Sequence, residues 1–238
     1  MNNYFNDTVY ILDFDGVICD SIDECMLNSY NTFNDANIVN INDLPKNYRN
    51  YFYKYRYHVR PAKEYYILCK TCDHNVNLSR YKFDEYKKLF ENEMLEYESK
   101  FFQNRCDLKR NILLWLSYHK IYEHASKFIT SITNRIFILT TKDYDSVKML
   151  SHHFGYFNKV EEIISREISD DKEKLFDYLF NKHESLLNNT RVVFVDDNEF
   201  HLESVSKFPI DLYFAKWGYA KKQNYNKFKE INSFMELI

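Results

Sequence analysis

Two aspartates one residue apart close an apolar run near the start of the chain, Val9-Tyr10-Ile11-Leu12-Asp13-Phe14-Asp15-Gly16-Val17. A strand buried on both faces of a parallel sheet tolerates charge only at its end. Open α/β sheets hold their ligands just beyond the carboxyl ends of their strands. Two carboxylates in that place suggest a metal-assisted site. The plainer alternative is a strand end capped by two solvated acids. Gly16, one of only 3 glycines, permits a tight exit that a Cβ would resist.

Other runs share this character. Arg135-Ile136-Phe137-Ile138-Leu139 leads into Thr140-Thr141-Lys142, and Arg191-Val192-Val193-Phe194-Val195 leads into Asp196-Asp197-Asn198. Residues 160–164 and 210–215 are shorter strand candidates. Every apolar run except the last feeds a helical pattern. That is the signature of a doubly wound, Rossmann-like parallel sheet of about five strands in the α/β class. Ser21-Ile22-Asp23-Glu24 has the form of a capping box, with Ile22, Cys25, Met26, Ser29 and Phe33 as the inner stripe of its helix. Asp143, Asp170 or Asp171, and Asn198 stand where three further helices would begin. Gly155 would end the first of these.

Four motifs then stand in order on these elements. The first is Leu12-Asp13-Phe14-Asp15-Gly16-Val17, and the second is Ile138-Leu139-Thr140-Thr141-Lys142. The third is a lysine at a helix start, Lys172 in Asp171-Lys172-Glu173-Lys174-Leu175. The fourth is Val193-Phe194-Val195-Asp196-Asp197-Asn198. Phe154-Gly155-Tyr156-Phe157 and Trp217-Gly218-Tyr219 are softer matches. Together they resemble the haloacid dehalogenase (HAD) superfamily of hydrolases, in its phosphoglycolate-phosphatase-like branch, over roughly residues 7–20 and 120–220. The chain departs from the family pattern in two places. Asp196-Asp197 stands where many relatives have Gly-Asp, and His201 where an acid or asparagine is usual; His201 could hydrogen-bond, ligate weakly or simply lie on a helix surface. Lys174 competes with Lys172 for the third motif. Lys172 is preferred because a cation at a helix start opposes the helix dipole and so requires an anion nearby.

The resemblance implies a chemistry that these residue types can support. A phosphate ester is an anion, and a carboxylate nucleophile repels it by roughly 5 kcal/mol per pair of unit charges at ~3 Å and an effective dielectric near 20. Mg2+ prefers oxygen ligands and would cancel that repulsion, held by Asp13 and Asp197 with the Asp15 backbone carbonyl. Asp196 would orient the metal shell. Asp13 would be the nucleophile, forming an aspartyl-phosphate. Asp15 would be general acid and then base, a role calling for burial to raise its pKa. Thr140 would donate to a phosphoryl oxygen, and Lys172 would supply positive charge against the developing anion. Within the superfamily, the acid at Asp15 favours phosphate esters over dehalogenation.

The implied architecture is a core of residues 1–19 and 120–238 with a helical cap, residues 20–119, inserted after the first strand. Helical patterns within the insertion include 83–94 and 108–119. Such caps exclude water and select the substrate, here expected to be a small phosphorylated metabolite. Two segments of the insertion invite other readings. Residues 48–58, Tyr-Arg-Asn-Tyr-Phe-Tyr-Lys-Tyr-Arg-Tyr-His, interleave aromatics with bases as single-strand nucleic-acid platforms do. Positions 48, 51, 52 and 55 also make an ordinary inner helix face, and a net charge of −3 argues against a polyanion partner. Cys69-Lys70-Thr71-Cys72-Asp73-His74 has half the ligands of a zinc site, with no second pair following it.

The 5 cysteines are an odd number, which suggests free thiols and a cytoplasmic setting. No charged-then-apolar leader and no apolar run of about 18 residues is present, so neither signal peptide nor membrane span is expected. The expected activity is magnesium-dependent phosphomonoester hydrolysis. A sugar-phosphate mutase of the same fold and a catalytically silent binding protein are the alternatives.

Overall fold

The computed structural model describes residues 7–188, 190–219 and 227–238. In chain order the strands are β1 (Asp7–Leu12), β2 (Cys19–Asp20), β3 (Lys120–Ile121), β4 (Arg135–Leu139), β5 (Glu162–Ile164), β6 (Thr190–Asp196), β7 (Asp211–Ala215) and β8 (Lys229–Ile231). Six helices lie between β2 and β3: α1 (Ile22–Asn34), α2 (Lys46–Tyr55), α3 (Tyr65–Cys72), α4 (Arg80–Leu89), α5 (Glu91–Lys109) and α6 (Ile112–Ser117). The rest are α7 (Glu123–Ser131), α8 (Tyr144–His153), α9 (Lys172–Lys182) and α10 (Glu199–Ser204). The chain forms two compact units, residues 1–20 with 121–238, and residues 21–120.

The first unit is built on a six-stranded sheet in the order β5-β4-β1-β6-β7-β8, with parallel pairing throughout. The sequence pattern found five of these strands. It missed β8 because Lys-Glu-Ile at a sheet edge is too short and too polar to show a period. β1 is buried on both faces, as its unbroken apolar run requires. Val9 and Ile11 pack with Leu175, Phe176 and Leu179 of α9. On the other face the Tyr10 ring meets Phe128 of α7 edge-on at 4.9 Å.

From β1 the chain goes on to β4 and β5 on one side, then returns to β6 on the other. The order of strands therefore reverses at β1, the place where such sheets open a ligand crevice. Leu12 is level with Ile138 of β4 and Val195 of β6. The next residues, Asp13, Leu139-Thr140 and Asp196-Asp197, accordingly emerge side by side.

Helix starts follow the expected caps, with one exception. Asp143 accepts from the Ser146 N–H at 3.0 Å, Asp171 from Glu173 at 2.9 Å, and Asn198 from Phe200 at 3.0 Å. Ser21 makes no side-chain capping bond although α1 begins where expected, so the capping box does not form. Gly155 follows α8 with φ +79°, the left-handed conformation that ends a helix.

The second unit is all helical apart from its last residue, with its own core of α1, α2, α3 and α5 side chains. Tyr48, Tyr51, Phe52 and Tyr55 are the buried face of α2. The patterns at 83–94 and 108–119 have the right type but the wrong limits: α4 ends at Leu89, and α5 runs on to Lys109 before α6. No Gly or Pro marks those breaks, so nothing local announces them. Deep in this core Arg105 grips Glu24 through two N–H···O bonds of 2.8 Å. Its guanidinium lies 4.7 Å from the Phe101 ring centre. No helix among the described residues is long and apolar enough to cross a membrane.

Candidate active site

Asp13 follows the last residue of β1, and its backbone N–H continues the ladder to Val195 O at 3.0 Å. The side chain is buried, at 6 % exposure. Lys172 meets it from the first turn of α9, with Nζ 2.8 Å from Asp13 Oδ1, 2.6 Å from Leu139 O and 3.3 Å from Asp196 Oδ2. A cation at a helix start is unfavourable alone, and these three oxygens are the compensation. Lys174 is exposed on the same helix, which removes the ambiguity between the two lysines as neighbours of Asp13.

Burial pushes the Asp13 carboxyl up, with Lys172 opposing and Asp196 reinforcing the rise. The same burial works against the Lys172 ammonium, but Asp13 and Asp196 outweigh it and hold its pKa up. Burial also acts to raise Asp196, yet His201 and Lys172 together keep it below the usual carboxylate value. The result is a desolvated carboxylate beside a firmly charged ammonium. Asp13 Oδ1 is engaged by that ammonium.

Asp15 stands two residues on, with Lys142 Nζ at 3.2 and 3.3 Å from its two carboxylate oxygens. Lys142 is almost fully buried. It ends the second motif, and sequence reasoning gave it no role. A buried lysine is visible only once its acidic partner is placed beside it. Thr140 is buried at the end of β4, where its Oγ1 accepts from the Lys142 N–H at 3.2 Å. The Thr140 hydroxyl proton remains available to an incoming oxygen.

Asp197 turns a different way from its neighbour. Its Oδ2 accepts from the Tyr219 N–H at 2.5 Å. Gly16 and Gly218 both press against this carboxylate so closely that a Cβ on either would overlap it. Gly16 also holds φ +83°, a region that disfavours side chains. Trp217 Nε1 donates to Val17 O at 3.1 Å and fastens this loop to the exit of β1. The soft match at residues 217–219 is thus the cradle of Asp197, a function its residue types alone do not disclose.

Asp13, Asp196 and His201 bring potential ligand atoms within 4.8 Å of one another. Asp196, however, already accepts from Asn198, His201 and Lys172. A carboxylate has about four lone-pair positions, so little acceptor capacity is left for a cation. Asp13, which accepts from Lys172 on Oδ1, keeps acceptor positions for a cation. Asp13, Asp15, Asp196 and Asp197 against Lys142 and Lys172 leave two negative charges, before any contribution from His201. A divalent cation with oxygen preference fits that charge and that donor set. The Cys69-Cys72 pair offers no comparable centre. Both thiols are buried on α3, and burial pushes them up to about 12 and about 11, away from the thiolate that metals bind.

The model of a hydrolase family described as haloacid dehalogenase-like hydrolase matches residues 8–205. No curated protein matches the sequence. Among solved structures, a haloacid dehalogenase-like family hydrolase from Streptococcus pneumoniae aligns with TM-score 0.64 and 12 % identity, over 100 % of this chain and 98 % of that one. A predicted phosphoglycolate phosphatase from Haemophilus somnus gives TM-score 0.64 and 13 % identity, over 98 % of this chain and 97 % of its own. Protein tyrosine kinase A of Mycobacterium tuberculosis gives 0.62 and 15 %, over 97 % of this chain and 96 % of its own. Such identities establish a common fold, and the names attached to it differ in activity.

Proposed function

Because the chain belongs to the haloacid dehalogenase-like hydrolase family, we propose that it is a phosphatase that hydrolyses a small phosphorylated metabolite through an aspartyl-phosphate on Asp13. One observation carries the reading: a buried carboxylate paired with the Lys172 ammonium at 2.8 Å, with a second acid two residues on held by Lys142. Asp13 and Asp197 would hold Mg2+ together with the backbone carbonyl of Asp15, and Asp196 would serve Lys172 in place of the metal. The cation supplies charge neutralisation of the phosphate at the moment of attack.

The chain's own residues would do the rest. Asp13 attacks phosphorus and the bond to the leaving oxygen breaks, while Asp15 passes a proton to that oxygen. Asp15 then takes a proton from water as the water attacks the aspartyl-phosphate, which restores the Asp13 carboxylate and frees phosphate. Thr140 donates its hydroxyl proton to a phosphoryl oxygen, and Lys172 balances the charge that builds there. Lys142 holds Asp15 in place between the two steps. We assign choice of substrate to the inserted helical unit, and a reducing, cytoplasmic setting suits five free cysteines.

The test is phosphate release from a broad panel of phosphorylated metabolites, with and without Mg2+. Turnover should need the metal and fall by about a thousandfold or more in Asp13→Asn, which removes the nucleophile but keeps the side chain's shape. Equal rates in wild type and variant would end this reading.

A further inference from the structure

Asp196 ends β6 with a carboxylate wholly removed from solvent, and donors reach it from three directions. The Asn198 N–H meets Oδ1 at 2.8 Å. His201 Nδ1 lies 3.2 Å from Oδ1 and 3.0 Å from Oδ2. Lys172 Nζ lies 3.3 Å from Oδ2. An ionised carboxylate only accepts, so His201 Nδ1 carries a proton and donates it. The imidazole and the backbone N–H therefore fix both the position and the rotation of the carboxylate.

Lys172 depends on that arrangement. Its ammonium has three N–H bonds and a flexible four-carbon stem. Asp13 Oδ1, Leu139 O and Asp196 Oδ2 take one each. Asp13 follows β1 and Leu139 ends β4; from the β6 side the ammonium meets the Asp196 carboxylate, with the Phe194 ring centre 5.6 Å away. Without a fixed Asp196, Asp13 and Leu139 would be left as the two oxygen partners of the ammonium, which could then turn away from its present place on its flexible stem. Resting on the phosphatase reading above, we propose that Asp196 and His201 form a positioning pair: His201 orients the Asp196 carboxylate, and Asp196 sets the place of the Lys172 ammonium against Asp13. Neither touches the reacting atoms. His201 acts at one remove, through a side chain that itself acts through another.

The experiment pairs a spectroscopic readout with kinetics on the full chain. Protein labelled with 15N-lysine should give a slowly exchanging ammonium signal for Lys172, identified by its absence in Lys172→Arg. In His201→Phe, which fills the space but cannot donate, exchange of that signal with solvent should speed up at least about tenfold. His201→Asn keeps an N–H donor and should hold exchange within about threefold of wild type. Phosphate release by His201→Phe should lose about 10- to 100-fold in kcat, the range for residues that orient a site from behind, with KM within about twofold. His201→Asn should recover most of the loss. Asp196→Asn is the second variant, should His201→Phe fail to fold, and should loosen the same signal. An ammonium signal unchanged in both folded variants would overturn the proposal, whatever the kinetics. A protein that releases phosphate from no ester would refute the phosphatase reading, while the ammonium signal would still decide whether the pair positions Lys172.

Discussion

Lys172 is the residue on which the site's charge balance turns. It brings one ammonium to two buried carboxylates, at 2.8 Å from Asp13 and 3.3 Å from Asp196. Breaking a buried pair from one side leaves charge that nothing screens, and such losses run to about 3–5 kcal/mol. Lys172→Met should therefore destabilise the chain by about that amount in urea unfolding at neutral pH, besides abolishing turnover. Lys174→Met, on the exposed side of the same helix, should leave the urea midpoint where it is. The contrast between two lysines two residues apart separates burial from charge.

The strand ends and the turns that follow them must keep the acids apart as well as bring them together. Gly16 is doubly restricted, because it has a positive φ and the Asp197 carboxylate stands where a Cβ would go. Gly16→Ala should cost about 1–3 kcal/mol in thermal or urea unfolding, and should lower phosphate release more than a surface variant of equal stability does. At the outer edge of the sheet, Glu162 of β5 pairs with Lys182 at 2.6 Å and with His183 at 2.8 Å. Burial alone would raise this acid, but the two partners hold it below its usual 4.5. A lowered folded pKa means that the unfolded chain binds the proton first. The stabilisation is thus present above pH 4.5 and is lost as pH falls through the folded value. Unfolding of Glu162→Gln followed from pH 7 to pH 3 should show a shallower acid limb than wild type; parallel limbs would remove Glu162 from the account.

Each compact unit has a core of its own, so damage to one should be felt there first. Arg105 and Glu24 are buried in the helical unit with a two-bond pairing. Arg105→Met should cost that unit about 3–5 kcal/mol by stranding the Glu24 carboxylate. Hydrogen exchange followed by mass spectrometry should speed up within residues 21–120, while β1, β4 and β6 keep their protection. Equal acceleration in the sheet strands would mean that the two cores unfold as one.

Much of this molecule could be read from the order of its residues. An unbroken apolar run ending in a polar or charged side chain needs only neighbours along the chain to be recognised, which is why β1, β4 and β6, caps at Asp143, at Asp170 or Asp171 and at Asn198, and Asp13, Asp15, Thr140 and Lys172 as candidate site residues are all visible in it. Periodicity fails where an element is short and polar, as in β8, or where one helix gives way to another with no Gly or Pro between, as at Phe90. Relations between distant residues are beyond it altogether. Lys142 on Asp15, His201 on Asp196, and the Gly218 cradle of Asp197 join residues separated by 5 to 127 positions. Residue types along the chain determine which groups are able to ionise, donate or coordinate. Only the packed sheet decides which of them meet, because burial and register remove water from some pairs and leave others in it.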